Sequence, residues 1–224
     1  MFSILIPSFE DLEYLKLCIK NICNNSYYRN QICISYSDKD VHLFLRENED
    51  KINEKQDLSY FRINHECGFS TGYNSAASLA EKQYYIVADS DHMFLPDWDL
   101  KISKYIDPNN VISINRIEND KYGTYPGNFN YDLLLKEYDS LLQDKIEEPN
   151  VFHPFIIHRD KWIGSGGMNI AFDGGALHDD EFWERIYKLF KVRFKFCYQS
   201  AVFHFSGHSP IIREKRTNTK KIVD

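Results

Sequence analysis

Short apolar runs alternate along this chain with segments whose apolar residues recur every three or four positions. Phe2–Ile6 is the first run, continuous enough for a strand covered on both faces, and Pro7 ends it. Leu12, Leu15, Ile19 and Ile22, with Cys18 beside them, then repeat at helical spacing, and Ser8 or Asp11 can cap that helix. Gln31–Tyr36 predicts a second strand, Val41–Arg46 a short helix, Glu47–Asp57 a solvated loop or helix end, and Tyr60–Asn64 a third strand. A glycine-rich turn opens a helix with the small packing residues Ala76, Ala77 and Ala80, and Tyr84–Ala88 is the next apolar run. Strand–helix alternation of this kind predicts a parallel sheet covered on both faces. Such sheets bind ligands at the carboxyl ends of their strands, near a switch in strand order. Pro7–Glu10, Asp38 and Asp89–Asp91 all fall at predicted strand ends.

The second part of the chain is less regular. Pro96–Trp98 starts a helix expected to reach about Tyr105, and Val111–Asn115 reads as a strand. Glu118–Asn130 is a turn-rich loop, followed by an expected helix over Tyr131–Ile146 carrying Leu134, Leu135, Tyr138, Leu141 and Leu142. Val151–His158 contains a strand, Gly164–Asn169 reads as a flexible loop, and a helix begins near His178 with Phe182, Ile186, Leu189 and Phe190 on its buried face. Val192–Cys197 and Ala201–Ser209 are expected as two last strands, and 211–224 as a basic tail.

Composition narrows the class. The 224 residues are 43% hydrophobic, enough for one sizeable core. A formal net charge of −6 gives no overall nucleic-acid footprint. No run approaches the ~18 apolar residues of a membrane span, and the N-terminus lacks the basic region and cleavage site of a signal peptide. Five cysteines without a CxxC pair point to free thiols in a reducing compartment, hence an expected soluble, cytoplasmic protein without a zinc site.

The candidate chemistry centres on Asp89-Ser90-Asp91. Residues two apart on an extended chain share a side, so both carboxylates can face one hard divalent cation, Mg²⁺ or Mn²⁺. An acidic turn capping the next helix is the plainer alternative. Gly68 and Gly72 open a helix that can receive phosphate at its N-terminus, or simply serve a turn. Asp179, Asp180 and Glu181 favour a helix start electrostatically, and any of them can also project as a base. A lone histidine such as His204 or His208 in this setting is more often a satisfied core group than a ligand.

Taken in order, Ser3-Ile4-Leu5-Ile6-Pro7-Ser8-Phe9, Asn64 with Gly68–Asn74, Asp89-Ser90-Asp91 with Phe94-Leu95-Pro96-Asp97, and His178–Phe182 with Arg185 resemble a family-2 glycosyltransferase of the GT-A fold. The resemblance covers roughly residues 2 to 209. It implies an α/β fold: a single GT-A, Rossmann-like domain with a mixed, mostly parallel sheet flanked by helices. Residues 1–95 would bind the nucleotide sugar and 96–209 the acceptor, with 210–224 a basic tail. It further implies that Pro7, Ser8, Phe9 and Glu10 border the nucleotide, that Asp38 faces base or ribose, and that Asn64, Gly68, Asn74 and Ser90 shape the nucleotide and diphosphate side. Asp89 would contact ribose or reach the metal through water, and Asp91 would bind Mn²⁺ or Mg²⁺ directly, with His204 or else His208 as a further ligand. Asp179 falls at the base position and Asp180 competes for it. The chain departs from the family at Tyr36-Ser37-Asp38, where two successive acids before Gly-Ser are usual, and at His178, where Glu is common.

The expected partners are therefore a nucleotide-diphosphate sugar, UDP-linked by preference, and a hydroxyl acceptor such as a glycan. Two other readings compete. A phosphatase-like hydrolase also uses an Asp-x-Asp strand end, but usually on its first strand. A non-catalytic nucleotide-sugar or glycan-binding module needs no base such as Asp179.

Overall fold

The computed structural model describes residues 1–9, 11–64, 67–147, 153–173 and 178–205. Its centre is a nine-stranded sheet. β1 (Phe2–Ser8), β2 (Gln31–Tyr36), β3 (Asp57–Arg62) and β4 (Tyr84–Val87) are parallel and lie in the order β3-β2-β1-β4. The chain thus builds outward from β1 on one side and then returns to its other side, which makes the gap beyond β1 and β4 the switch point.

Every residue of β1 is buried, as a parallel strand covered on both faces requires. Side-chain alternation divides its contacts. Phe2, Ile4 and Ile6 join Leu15, Cys18, Ile19 and Ile22 of α1 (Leu12–Asn25), whereas Leu5 joins Tyr73 and Ala76 of α3 (Phe69–Ala77) on the opposite face. Each fully buried Ile or Leu contributes about 1.5–3 kcal/mol. α3 lies so close to β1 that a Cβ at Gly72 would stand 2.7 Å from Cβ of Pro7. Close approach, rather than φ, explains this glycine.

The remaining strands make the sheet mixed. β8 (Phe155–His158) inserts antiparallel between β4 and β6 (Asn110–Ile117). β9 (Arg193–His204) runs parallel to β6 and carries the short antiparallel strands β5 (His92–Phe94) and β7 (Ile146–Glu147). α4 (Trp98–Ser103), α5 (Tyr131–Leu141), α6 (Arg159–Ser165) and α7 (His178–Phe190) complete the helices.

Several elements differ from the expected ones for identifiable reasons. α2 runs over Lys39–Asn53, far beyond the short helix expected, because Ile52 continues the buried stripe of Val41 and Leu45 while the polar residues between face outward. The two last strands are one strand, β9, with a register shift opposite Ile114/Asn115. The helix expected to reach Ile146 ends at Leu141, and Ile146 pairs with Cys197. Gly164 lies in α6, and of the three glycines in the expected loop Gly166 and Gly167 adopt positive φ, 82° and 72°. Among the described residues no helix is long and apolar enough to cross a membrane.

Candidate active site

Asp89, Ser90 and Asp91 occupy the turn between β4 and β5, closed by the His92 amide donating to the Asp89 carbonyl at 3.3 Å. They are therefore not the extended pair that alternation suggested, but the turn sits at the switch point all the same. Asp11, just after β1, ties the two strand ends together: its carboxylate accepts from the hydroxyls of Ser8 and Ser90. Burial pushes the Asp11 carboxyl up to about 7, against the Ser8 hydrogen bond and with repulsion from Asp91 and Asp89.

Asp91 and His204 form one corner of the site. His204 Nε2 lies 3.4 Å from Asp91 Oδ2, while its Nδ1 is 2.7 Å from Glu118 Oε1. Burial lowers the proton affinity of His204, but Asp91 and Glu118 outweigh it and raise the pKa. The other oxygen, Asp91 Oδ1, is buried with no partner among the described residues. Donor atoms of Asp91, His92 and His204 lie within 4.8 Å of one another. His92 Nδ1 accepts from the Asp89 amide at 2.9 Å, so its proton is on Nε2 and the ring has no lone pair to offer a cation. An orphaned carboxylate oxygen beside an imidazole whose far nitrogen is held by a carboxylate fits a divalent ion. Asp91 and His204 would hold it, with Asp89 adjacent.

Asp179, on the first turn of α7, forms a second corner. Its Oδ1 meets two imidazoles, His153 Nε2 at 2.9 Å and His178 Nε2 at 3.1 Å. Burial pushes this carboxyl up, but the two histidines outweigh it and hold it far below the usual carboxylate range. Burial likewise opposes the charge on His153, and Asp179 and Asp89 overcome it, raising the pKa. Asp89 is pushed up chiefly by burial, opposed by His153 and by the hydroxyl of Tyr73, which donates to Asp89 Oδ1. Asp180 is exposed.

A model of glycosyl transferase family 2 matches residues 3–166. The chain belongs to that family. No curated protein matches the sequence. Solved structures of similar fold include a mannosyltransferase from Pyrobaculum calidifontis in complex with GDP-Man and Mn²⁺, at TM-score 0.68 and 15% identity, covering 100% of this chain and 64% of that one. TarS 1-349 of S. aureus in complex with UDP-GlcNAc gives 0.60 and 13%, covering 96% and 64%. GalNAc-T7 with UDP, GalNAc and Mn²⁺ gives 0.65 and 15%, covering 91% and 43%. The sheet flanked by helices is thus a GT-A fold, and the chain spans less than two thirds of the length of each of these structures.

The other family-2 positions are distributed around this frame. Pro7 packs under Gly72, and the Phe9 ring meets Phe69 edge-on at 5.4 Å. Phe69 in turn stacks on His178, at 6.4 Å and 9° between planes, so an aromatic bridge joins the end of β1 to the start of α7. Asp38 caps α2, accepting from the Asp40 amide at 2.6 Å. A Cβ at Gly68 would fall 2.2 Å from the carbonyl oxygen of Asp173, whose carboxylate accepts from the Thr71 amide at 2.9 Å. Asn74 both donates to the Met168 carbonyl and accepts from its amide, clamping the Gly166–Gly167 turn. Asn64 lies just beyond β3. Glu10, His208 and the 210–224 tail lie outside the described residues.

The residues that motif reading missed are His153, Tyr73, Asp11 in its bridging role, and Glu118. A buried histidine and a buried tyrosine carry no sequence signal that separates them from core packing.

Proposed function

We propose that this chain transfers a sugar from a nucleotide-diphosphate donor, UDP-linked by preference, to a hydroxyl of a glycan or other acceptor, with inversion. The observation that carries the reading is the pairing of Asp91, with its partnerless buried Oδ1, and His204 at one corner of the switch point, with the ionised Asp179 at another. A divalent cation bound there supplies Lewis-acid stabilisation of the leaving diphosphate. Asp91 and His204 hold it, and the imidazole in the set favours Mn²⁺ over Mg²⁺. Residues 1–95 hold the nucleotide and 96–209 the acceptor, and Pro7, Ser8, Phe9 and Ser90 line the nucleotide side with Asp38, Asn64, Gly68 and Asn74 around it.

Asp179 accepts the proton of the attacking hydroxyl. Both imidazole contacts fall on Oδ1, so Oδ2 is the oxygen that can meet the acceptor. The same contacts lower the proton affinity of the carboxylate, so its share of the ~10²–10⁴-fold in rate that a positioned base can contribute comes from placement and not from basicity. An open groove of about 430 Å³ beside α7, lined by Asn74, Gly167, Met168, Asn169, Glu181 and Arg185, offers room for a sugar ring. The hydrolase reading loses ground because the Asp-x-Asp turn follows the fourth strand, and because the chain is a family-2 member.

The test is calorimetric titration of UDP and of GDP with and without Mn²⁺, on the wild-type chain and on Asp91→Asn. Binding that needs Mn²⁺ and disappears in the variant is the expected result. Binding of neither nucleotide under any metal condition, with dTDP also silent, would leave a glycan-binding module as the better reading. Asp179→Ala and Asp180→Ala, assayed separately, decide which acid is the base.

A further inference from the structure

His153 lies just ahead of β8 and is only 6% exposed, far from Asp89, Tyr73 and Asp179 in sequence yet in contact with all three. Its Nε2 is 2.9 Å from Asp179 Oδ1. Its Nδ1 is 3.3 Å from the Tyr73 hydroxyl and 3.9 Å from Asp89 Oδ2. Tyr73, buried on α3, donates its own proton to Asp89. The imidazole is boxed by three rings, Phe155 edge-on at 5.0 Å, Tyr73 at 5.4 Å and Trp183 at 6.4 Å. The ring plane is therefore set by packing, and both nitrogens address functional carboxylates, one directly and one beside Tyr73.

We infer that His153 is a positioning residue for sugar transfer, fixing the Asp179 carboxylate through Oδ1 and tying it to the Tyr73–Asp89 pair, so that the base and the metal-side acid keep one relative placement. This rests on the assignment of Asp179 as the base. The consequence is mechanical. An aspartate on the first turn of a helix can adopt more than one staggered side-chain rotamer. Pinning one oxygen from an imidazole packed among three rings leaves the other aimed at a single point, and misplacement by about 1 Å can cost about 10²-fold in rate. His178 contributes the second contact to Oδ1 from α7 itself and stacks on Phe69, whereas His153 reaches Asp179 from the segment ahead of β8 and is the contact that also touches Tyr73 and Asp89.

Two near-isosteric variants separate the two nitrogens. His153→Gln keeps an amide donor near the Nε2 position, toward Asp179. His153→Asn keeps one near Nδ1, toward Tyr73, and loses the donor to Asp179. The chemical probe is release of nucleoside diphosphate from UDP-GlcNAc and from GDP-mannose in the presence of Mn²⁺. The structural probe is the position of the Asp179 carboxylate in crystals of each variant. His153→Gln is expected to retain most of kcat, and His153→Asn to lose about ten- to a hundred-fold with the donor KM little changed. Asp179 should keep its rotamer in the first variant and leave it in the second. An Asp179 side chain that stays in place in His153→Asn overturns the inference, as does equal kcat in the two variants. Unchanged release in Asp179→Asn, by contrast, removes the base assignment and with it the role of His153 in sugar transfer, leaving only its placement of the Asp179 side chain. If neither sugar nucleotide is turned over by the wild-type chain, the crystallographic comparison decides the positioning role alone.

Discussion

Asp11 is the residue on which the two strand ends of the switch point depend, because its carboxylate receives both the Ser8 and the Ser90 hydroxyls. Burial with Asp91 and Asp89 nearby raises its folded-state pKa to about 7, from 3.8 for a free aspartate. Between those values the folded chain holds a proton that the unfolded chain has released. Its contribution to stability is full below the unfolded value, falls as pH rises, and is lost once pH passes about 7. Asp11→Asn carries no such titration, so metal-free urea unfolding should show the variant gaining on the wild type between pH 5 and pH 8. A difference that stays constant over that range would mean Asp11 is ionised in the folded chain. This residue also shows what a sequence can convey about a site. Asp89, Asp91, Asp179 and His204 were legible because they stand in local patterns at element ends. The bridge at Asp11 was visible only as a helix cap, Tyr73 only as a member of the Gly68–Asn74 motif without a role, and His153 not at all, because their roles arise from contacts made across the sheet.

At the scale of elements, α2 gives the clearest case of a helix under-read. Its stripe has only Val41, Leu45 and Ile52 buried, too sparse to decide whether Glu47–Lys51 is a solvated loop or a helix end. β9 was divided because the bulge opposite Ile114/Asn115 interrupts its alternation, whereas the buried runs of β1, β2 and β4 read directly. The start of α2 carries a prediction. Asp38 has extended backbone, φ −79° and ψ 142°, and its side chain accepts from the Asp40 amide at 2.6 Å. Asp38→Ala should therefore lower stability by about 0.5–2 kcal/mol in urea unfolding, whatever else the residue does. UDP titration of the same variant separates a second role. An affinity within about two-fold of wild type leaves Asp38 as a cap, and a ten-fold fall, about 1.4 kcal/mol, adds contact with base or ribose.

For the whole molecule, the proposed division into a donor half and an acceptor half would be one of chemistry and not of folding. β4 of the first half hydrogen-bonds to β8 over four residue pairs, and among the described residues β5 pairs only with the far end of β9. One buried cluster holds Ile4, Ile6 and Ile86 together with Trp98, Ile112, Ile156 and Val202. A fragment of residues 1–95 would expose the second edge of β4 and the apolar surface of that cluster, both hazards for aggregation. The intact chain should accordingly unfold in one transition. Its three tryptophans, Trp98, Trp162 and Trp183, all lie in the second half, with Trp98 packed on Phe2 and Phe94 and Trp162 on Tyr85, so their fluorescence follows that half and its seam with the first while far-UV circular dichroism follows the whole chain. Coincident urea midpoints for the two signals are expected, and the 1–95 fragment should show neither native dichroism nor a cooperative transition. Fluorescence that changes at lower urea than dichroism, together with a folded fragment, would make the two halves separate folding units.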